Sequence, residues 1–65
     1  MEKITREMIT DVINKKDVPL LREYFEEYNN IDLAGIINDL PVEKILFIFK
    51  TVPASLSAEV FTYLE

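Results

Sequence analysis

The sequence contains no cysteine, no histidine and no tryptophan, and it has a single glycine, Gly35. Without cysteine there is no disulfide staple, and without cysteine and histidine there is no structural zinc site of the usual kind. The same absences remove the Cys–His and Ser–His pairings that activate a nucleophile, and no serine or threonine has a candidate base beside it. One glycine cannot build a glycine-rich phosphate loop. The longest apolar run, Ile45-Leu46-Phe47-Ile48-Phe49, is far too short to cross a bilayer. Residues 1–16 carry no apolar stretch of the signal-peptide type. These exclusions point away from an enzyme and towards a binding or regulatory module.

What is present is a chain of 65 residues, 49% of them apolar, which is enough for one small domain near the lower limit for a core that folds alone. The net charge is −5, and it is unevenly spread. Residues 1–16 sum to +1 (four basic, three acidic), and residues 17–65 sum to −6 (three basic, nine acidic). An acidic body disfavours nucleic acid and anionic lipid and favours a basic protein surface or a hard cation. No direct membrane insertion is expected of this chain.

Proline sets the rhythm of the second half. Leu40-Pro41, Val52-Pro53 and Leu64 recur every twelve residues. Proline suits the first turn of a helix and keeps the residue before it out of helical geometry, so each step reads as the end of one helix and the start of the next. Five short helices result. The first, over 3–15, carries the stripe Ile4, Met8, Ile9, Val12 and Ile13, with Asp11 and Lys15 paired four apart. The second is capped by Asp17, with Pro19 in its first turn, and carries Leu20, Leu21, Tyr24, Phe25 and Tyr28. Asn29 or Asn30 caps the third, Ile31 to Asp39, in which the small residues Ala34 and Gly35 permit close approach of a neighbour. The fourth, Pro41 to Thr51, has Glu43 in its first turn and Lys50 in its last, both suited to the helix dipole. Its centre, Ile45 to Phe49, is apolar all round, and such a helix is expected to be covered on more than one side and to form the middle of the domain. A buried strand is discounted, because no second strand exists to pair with it. The fifth starts at Pro53 and carries Leu56, Val60, Phe61 and Leu64. The pattern stops in mid-course at Glu65, which reads as a piece of a longer chain.

The fold class is therefore all-α, a compact superhelical stack of about five short helices. Residues 1–65 form a single helical domain or domain fragment, with 1–16 as a leading helix and 17–65 as helical repeats. Candidate metal-ligating residues are Glu23, Glu27, Asp32 and Glu59. Glu23 and Glu27 lie four apart on one helical face, the spacing of a cation site and equally of a plain solvated surface. Ile45, Phe47, Phe49 and Phe61 are candidates for the core or an interface. One of Phe47 and Phe49 is expected inside, leaving the other to face a partner. Tyr24, Phe25 and Tyr28 read as core packing.

Five short segments carry a family resemblance: Asp17-Val18-Pro19-Leu20-Leu21-Arg22-Glu23, Asn30-Ile31-Asp32-Leu33-Ala34, Leu40-Pro41-Val42-Glu43-Lys44, Phe49-Lys50-Thr51-Val52-Pro53, and Ser57 through Glu65. In this order and at these separations the chain resembles the cytosolic N-terminal domain of MgtE-type magnesium transporters. The resemblance implies a right-handed, armadillo-like superhelical arrangement, placed on the cytoplasmic side of the cell membrane as part of a longer membrane protein. It further implies a regulatory role, in which Mg²⁺ bridges the acidic surface of the domain to CBS domains of the same transporter and the pore closes. Mg²⁺ is the one cofactor implied, bound between domains rather than by these residues alone. The alternative is a helical protein–protein scaffold similar to the repeats of flagellar motor switch proteins, without ion sensing and with an apolar groove on the fourth and fifth helices. Self-association is compatible with either reading.

Overall fold

In the computed structural model, which describes residues 3–64, the five helices are α1 Arg6–Asn14, α2 Val18–Glu27, α3 Asn30–Ile37, α4 Val42–Thr51 and α5 Ala54–Thr62. No strand occurs among the described residues. Met1, Glu2 and the end of the last motif, Glu65, lie outside them.

Each helix start has a local cause. The Thr5 side chain accepts from the Met8 N–H at 3.2 Å and so caps α1 three residues later than the sequence pattern suggests. Ile4 before this cap and Ile9 after it are both buried, the arrangement of a hydrophobic staple. The Asp17 carboxylate accepts from the Leu20 N–H at 3.3 Å and caps α2, with Pro19 in the first turn as expected. Of the two asparagines, Asn29 is the cap of α3, its side chain accepting from the Ile31 N–H at 2.7 Å.

The prolines stand one position earlier than the sequence reading places them. Pro41 and Pro53 are the caps of α4 and α5 rather than their first helical residues, both with extended backbone (ψ 149° and 144°). Their carbonyls accept the first helical hydrogen bonds, from Lys44 and Ile45 and from Leu56 and Ser57. A cap residue makes no intrahelical bond through its own N–H, so the missing donor is harmless there too. The residue before each proline, Leu40 and Val52, is buried, and Leu64 at the third step is half-buried. The twelve-residue rhythm thus anchors one apolar side chain in the core at each turn.

Between α1 and α2 the chain reverses in three residues. The Asp17 N–H reaches the Val12 carbonyl at 3.1 Å and the Lys16 N–H reaches the Ile13 carbonyl at 3.0 Å, the paired bonds of a Schellman ending. Lys16 takes the left-handed conformation (φ 56°) that glycine usually occupies there. Asp11 and Lys15 form the expected ion pair at 3.1 Å, well exposed on both sides.

Packing pairs α1 with α2 and α4, and α5 with α2 and α3. The result measures 28 × 26 × 22 Å with a radius of gyration of 10.4 Å, close to the ~11 Å expected of a compact chain of this length. The fully buried side chains Ile9, Leu21, Leu33, Ile37, Ile48 and Val60 come from all five helices. Phe25 is buried, and Tyr24 and Tyr28 are half-buried and edge-to-face at 5.8 Å. Ser57, the one buried polar residue among those described, donates to the Pro53 carbonyl at 3.3 Å.

Two expectations are corrected. α4 is not the middle of the domain: Ile48 is its one buried residue, while Val42, Leu46 and Phe49 are 71%, 49% and 58% exposed. α4 packs mainly against α1, and its outer side carries no other described helix, so an all-round apolar sequence here marks an open face rather than a covered one. Gly35 likewise admits no close neighbour. A Cβ built on it meets nothing within 4 Å, and Ala34 beside it is the small residue that packs inward.

Candidate functional site

The four candidate metal ligands do not converge. Glu23 and Glu27 lie exposed on α2, Asp32 is exposed in the first turn of α3, and Glu59 is exposed on α5. No three acidic side chains among the described residues stand close enough to hold a metal ion. Glu59 instead accepts a 2.7 Å hydrogen bond from the Asn30 amide, which ties α5 to the start of α3.

That contact lies in a surface depression of about 460 Å³ between the α2–α3 junction and the start of α5. Phe25 and Leu56 supply its apolar lining, and Glu26, Tyr28, Asn29, Asn30, Ser55 and Glu59 supply carboxylate, amide and hydroxyl groups. Two carboxylates beside an aromatic ring suit a cation or a basic side chain. In the sequence Glu26 reads as a carboxylate paired with Glu23 and Glu27, and Asn30 as a possible helix cap, but nothing there joins them into one site. Their place in the depression depends on α5 folding back beside the end of α2, a non-local contact with no sequence signal.

The acidic field is legible in one titration. Partial burial, then Tyr28 beside it and the carboxylates of Asp11, Glu23 and Asp17, push the Tyr24 hydroxyl pKa upward.

The second surface feature is apolar. Val42, Leu46 and Phe49 follow one another at spacings of four and three, which puts them on one stripe of α4. Phe49 stacks on Phe61 of α5, with centroids 4.0 Å apart and rings within 5° of parallel. Of the four core or interface candidates, Ile45, Phe47 and Phe61 are half-buried and pack against the core, and Phe49 faces outward. Polar contacts fix the orientation of α4. Lys44 donates to the Asn14 side chain at 2.7 Å, and Arg22 Nε donates to the Thr51 carbonyl at 3.3 Å, one of the last carbonyls of the helix.

No protein-family model matches this chain, and no curated protein or solved structure matches it.

Proposed function

We propose that this chain is a non-enzymatic regulatory docking module of the magnesium-transporter type, a superhelical helical-repeat domain whose association with a partner domain depends on divalent cations. The observation that carries this reading is where the resembling segments fall. The Asp17, Asn30, Leu40-Pro41 and Val52-Pro53 segments span the starts of α2, α3, α4 and α5, so the motif series coincides with the turns that would set the winding of such a stack. The dispersed acids support it as well. Carboxylates spread over α2, α3 and α5 suit ions shared with a second acidic surface, rather than an ion enclosed by this chain. The partner in this reading is a CBS-domain pair of the same transporter, at the cytoplasmic side of the membrane. No helix among the described residues is long and apolar enough to cross a membrane, so any spanning part belongs to other segments.

Thermal unfolding in millimolar Mg²⁺, matched against sodium salt of equal ionic strength, tests the cation dependence. The half-sites that this chain offers to a shared ion bind Mg²⁺ weakly, and that binding to the folded state raises the midpoint slightly beyond the sodium control. Identical midpoints would leave only charge screening and count against the reading. The exposed α4 stripe favours a second reading, a helical interaction scaffold that works without ions, and Mg²⁺-independent partner binding would select it.

A further inference from the structure

We infer that the outer face of α4 pairs with the same face of a second copy of this chain, antiparallel about a twofold axis. The inference is independent of the cation-dependent reading, whose acids lie on α2, α3 and α5. It begins with the stripe Val42, Leu46 and Phe49, extended by the stacked Phe61. Spacings of four then three are those of a coiled-coil seam, with Val42 and Phe49 in one class of position and Leu46 in the other. Brought together antiparallel, Leu46 of each copy packs against Phe49 of the other, which makes two equivalent layers across the axis.

The charges beside the stripe select this partner and this orientation. Glu43 and Lys50 follow the two ends of the seam, each one residue after Val42 and Phe49, so both lie on the same flank. Both are exposed, and neither takes part in an ion pair among the described residues. An antiparallel twofold brings Glu43 of one copy beside Lys50 of the other, twice. A parallel pair would carry this flank to opposite sides of the seam in the two copies and would leave Glu43 and Lys50 without each other. The face is thus complementary to itself in one orientation only, as an isologous interface requires. Among the five helices it is also the one best able to approach an equally acidic copy. α4 carries Glu43, Lys44 and Lys50, a sum of +1, whereas the whole chain is −5.

One helix face is smaller than the ~800 Å² per partner of a standard interface, so the association is weak, with a Kd on the order of 0.1–1 mM. In sedimentation equilibrium the weight-average mass is expected to rise from the monomer value of 7.6 kDa towards twice that value as concentration approaches the Kd. Leu46→Asp, at a half-exposed site, is expected to weaken association at least ~10-fold while leaving the helical circular dichroism intact. Glu43→Lys and Lys50→Glu are each expected to weaken it ~2–5-fold, and the double exchange Glu43→Lys with Lys50→Glu to restore it. A mass of 7.6 kDa throughout the millimolar range would overturn the proposal. Association unchanged in Leu46→Asp would move the contact to another face and overturn it equally. A double exchange no better than the single ones would refute the antiparallel orientation.

Discussion

Lys16 holds a left-handed conformation at φ 56° in order to close the Schellman ending of α1, and its side chain is exposed. A residue with a Cβ pays about 1–2 kcal/mol for that conformation, whereas glycine enters it freely. Replacing Lys16 with glycine removes this strain but loosens the unfolded chain, which offsets about 0.5–1 kcal/mol. The net expectation for Lys16→Gly is a gain of about 0.5–1 kcal/mol. For a domain of this size that is a rise of about 2–8 °C in melting temperature. Thermal unfolding followed by circular dichroism at 222 nm is the assay. Lys16→Ala serves as the control, since it removes the same charge and side chain while keeping the Cβ, and it is expected to leave the melting temperature nearly unchanged. The two bonds of the motif, Asp17 to Val12 and Lys16 to Ile13, come from the backbone and survive both substitutions. If Lys16→Gly melted at or below the wild-type temperature, the left-handed strain would not exist. If Lys16→Ala gained as much as Lys16→Gly, the gain would come from charge and not from the backbone.

Three further outcomes follow from the same geometry. Gly35 lies exposed in the middle of α3 with open space around its Cα, so Gly35→Ala is expected to stabilise by about 0.5–1 kcal/mol, read as a higher denaturant midpoint at constant slope. Ile48 is fully buried and Phe49 is 58% exposed; Ile48→Ala is therefore expected to cost about 2–5 kcal/mol and Phe49→Ala clearly less, in the same unfolding assay. A larger loss in Phe49→Ala would restore α4 to the centre of the domain. Tyr24 loses its proton less readily in the folded than in the unfolded chain, because burial and nearby acids raise its pKa. Its contribution to stability is therefore complete below about pH 10, the ordinary tyrosine value, and falls as pH rises through the folded pKa. Ultraviolet titration of wild type and Tyr24→Phe, compared at 295 nm, is expected to show the late-ionising tyrosine disappear in the variant.

Legibility in the sequence divides along the range of the interactions. Helices α1 to α5 were readable because their causes are local: Asp17 and Asn29 as caps, the i, i+3, i+4 stripes through Val12 and Leu21, and the prolines at Pro41 and Pro53. The error of one position at the prolines arises because a cap and a first helical residue tolerate the ring equally well. What failed was the inference from apolar content to burial. Ile45 to Phe49 presents apolar side chains in every direction, and it is the packing of α4 against α1 that leaves Ile48 inside and Phe49 exposed. Which acids stand near one another was hidden for a related reason. Glu23 and Glu27 share a face by helical spacing, but the carboxylate that lines the same depression as Glu59 is Glu26, brought there by the fold-back of α5. Thr5 was missed as a cap because Ile4, which precedes it, fits the apolar stripe and extends the helical pattern further back.

The central claim, cation-dependent docking through the acidic surface, is tested most directly by following the backbone amides in a Mg²⁺ titration, with sodium salt at equal ionic strength as reference. The account predicts saturable shifts at millimolar Mg²⁺ that cluster on α2, α3 and α5, around Glu23, Glu27, Asp32 and Glu59. Small shifts spread evenly over the chain and reproduced by sodium would contradict it, since they report screening alone.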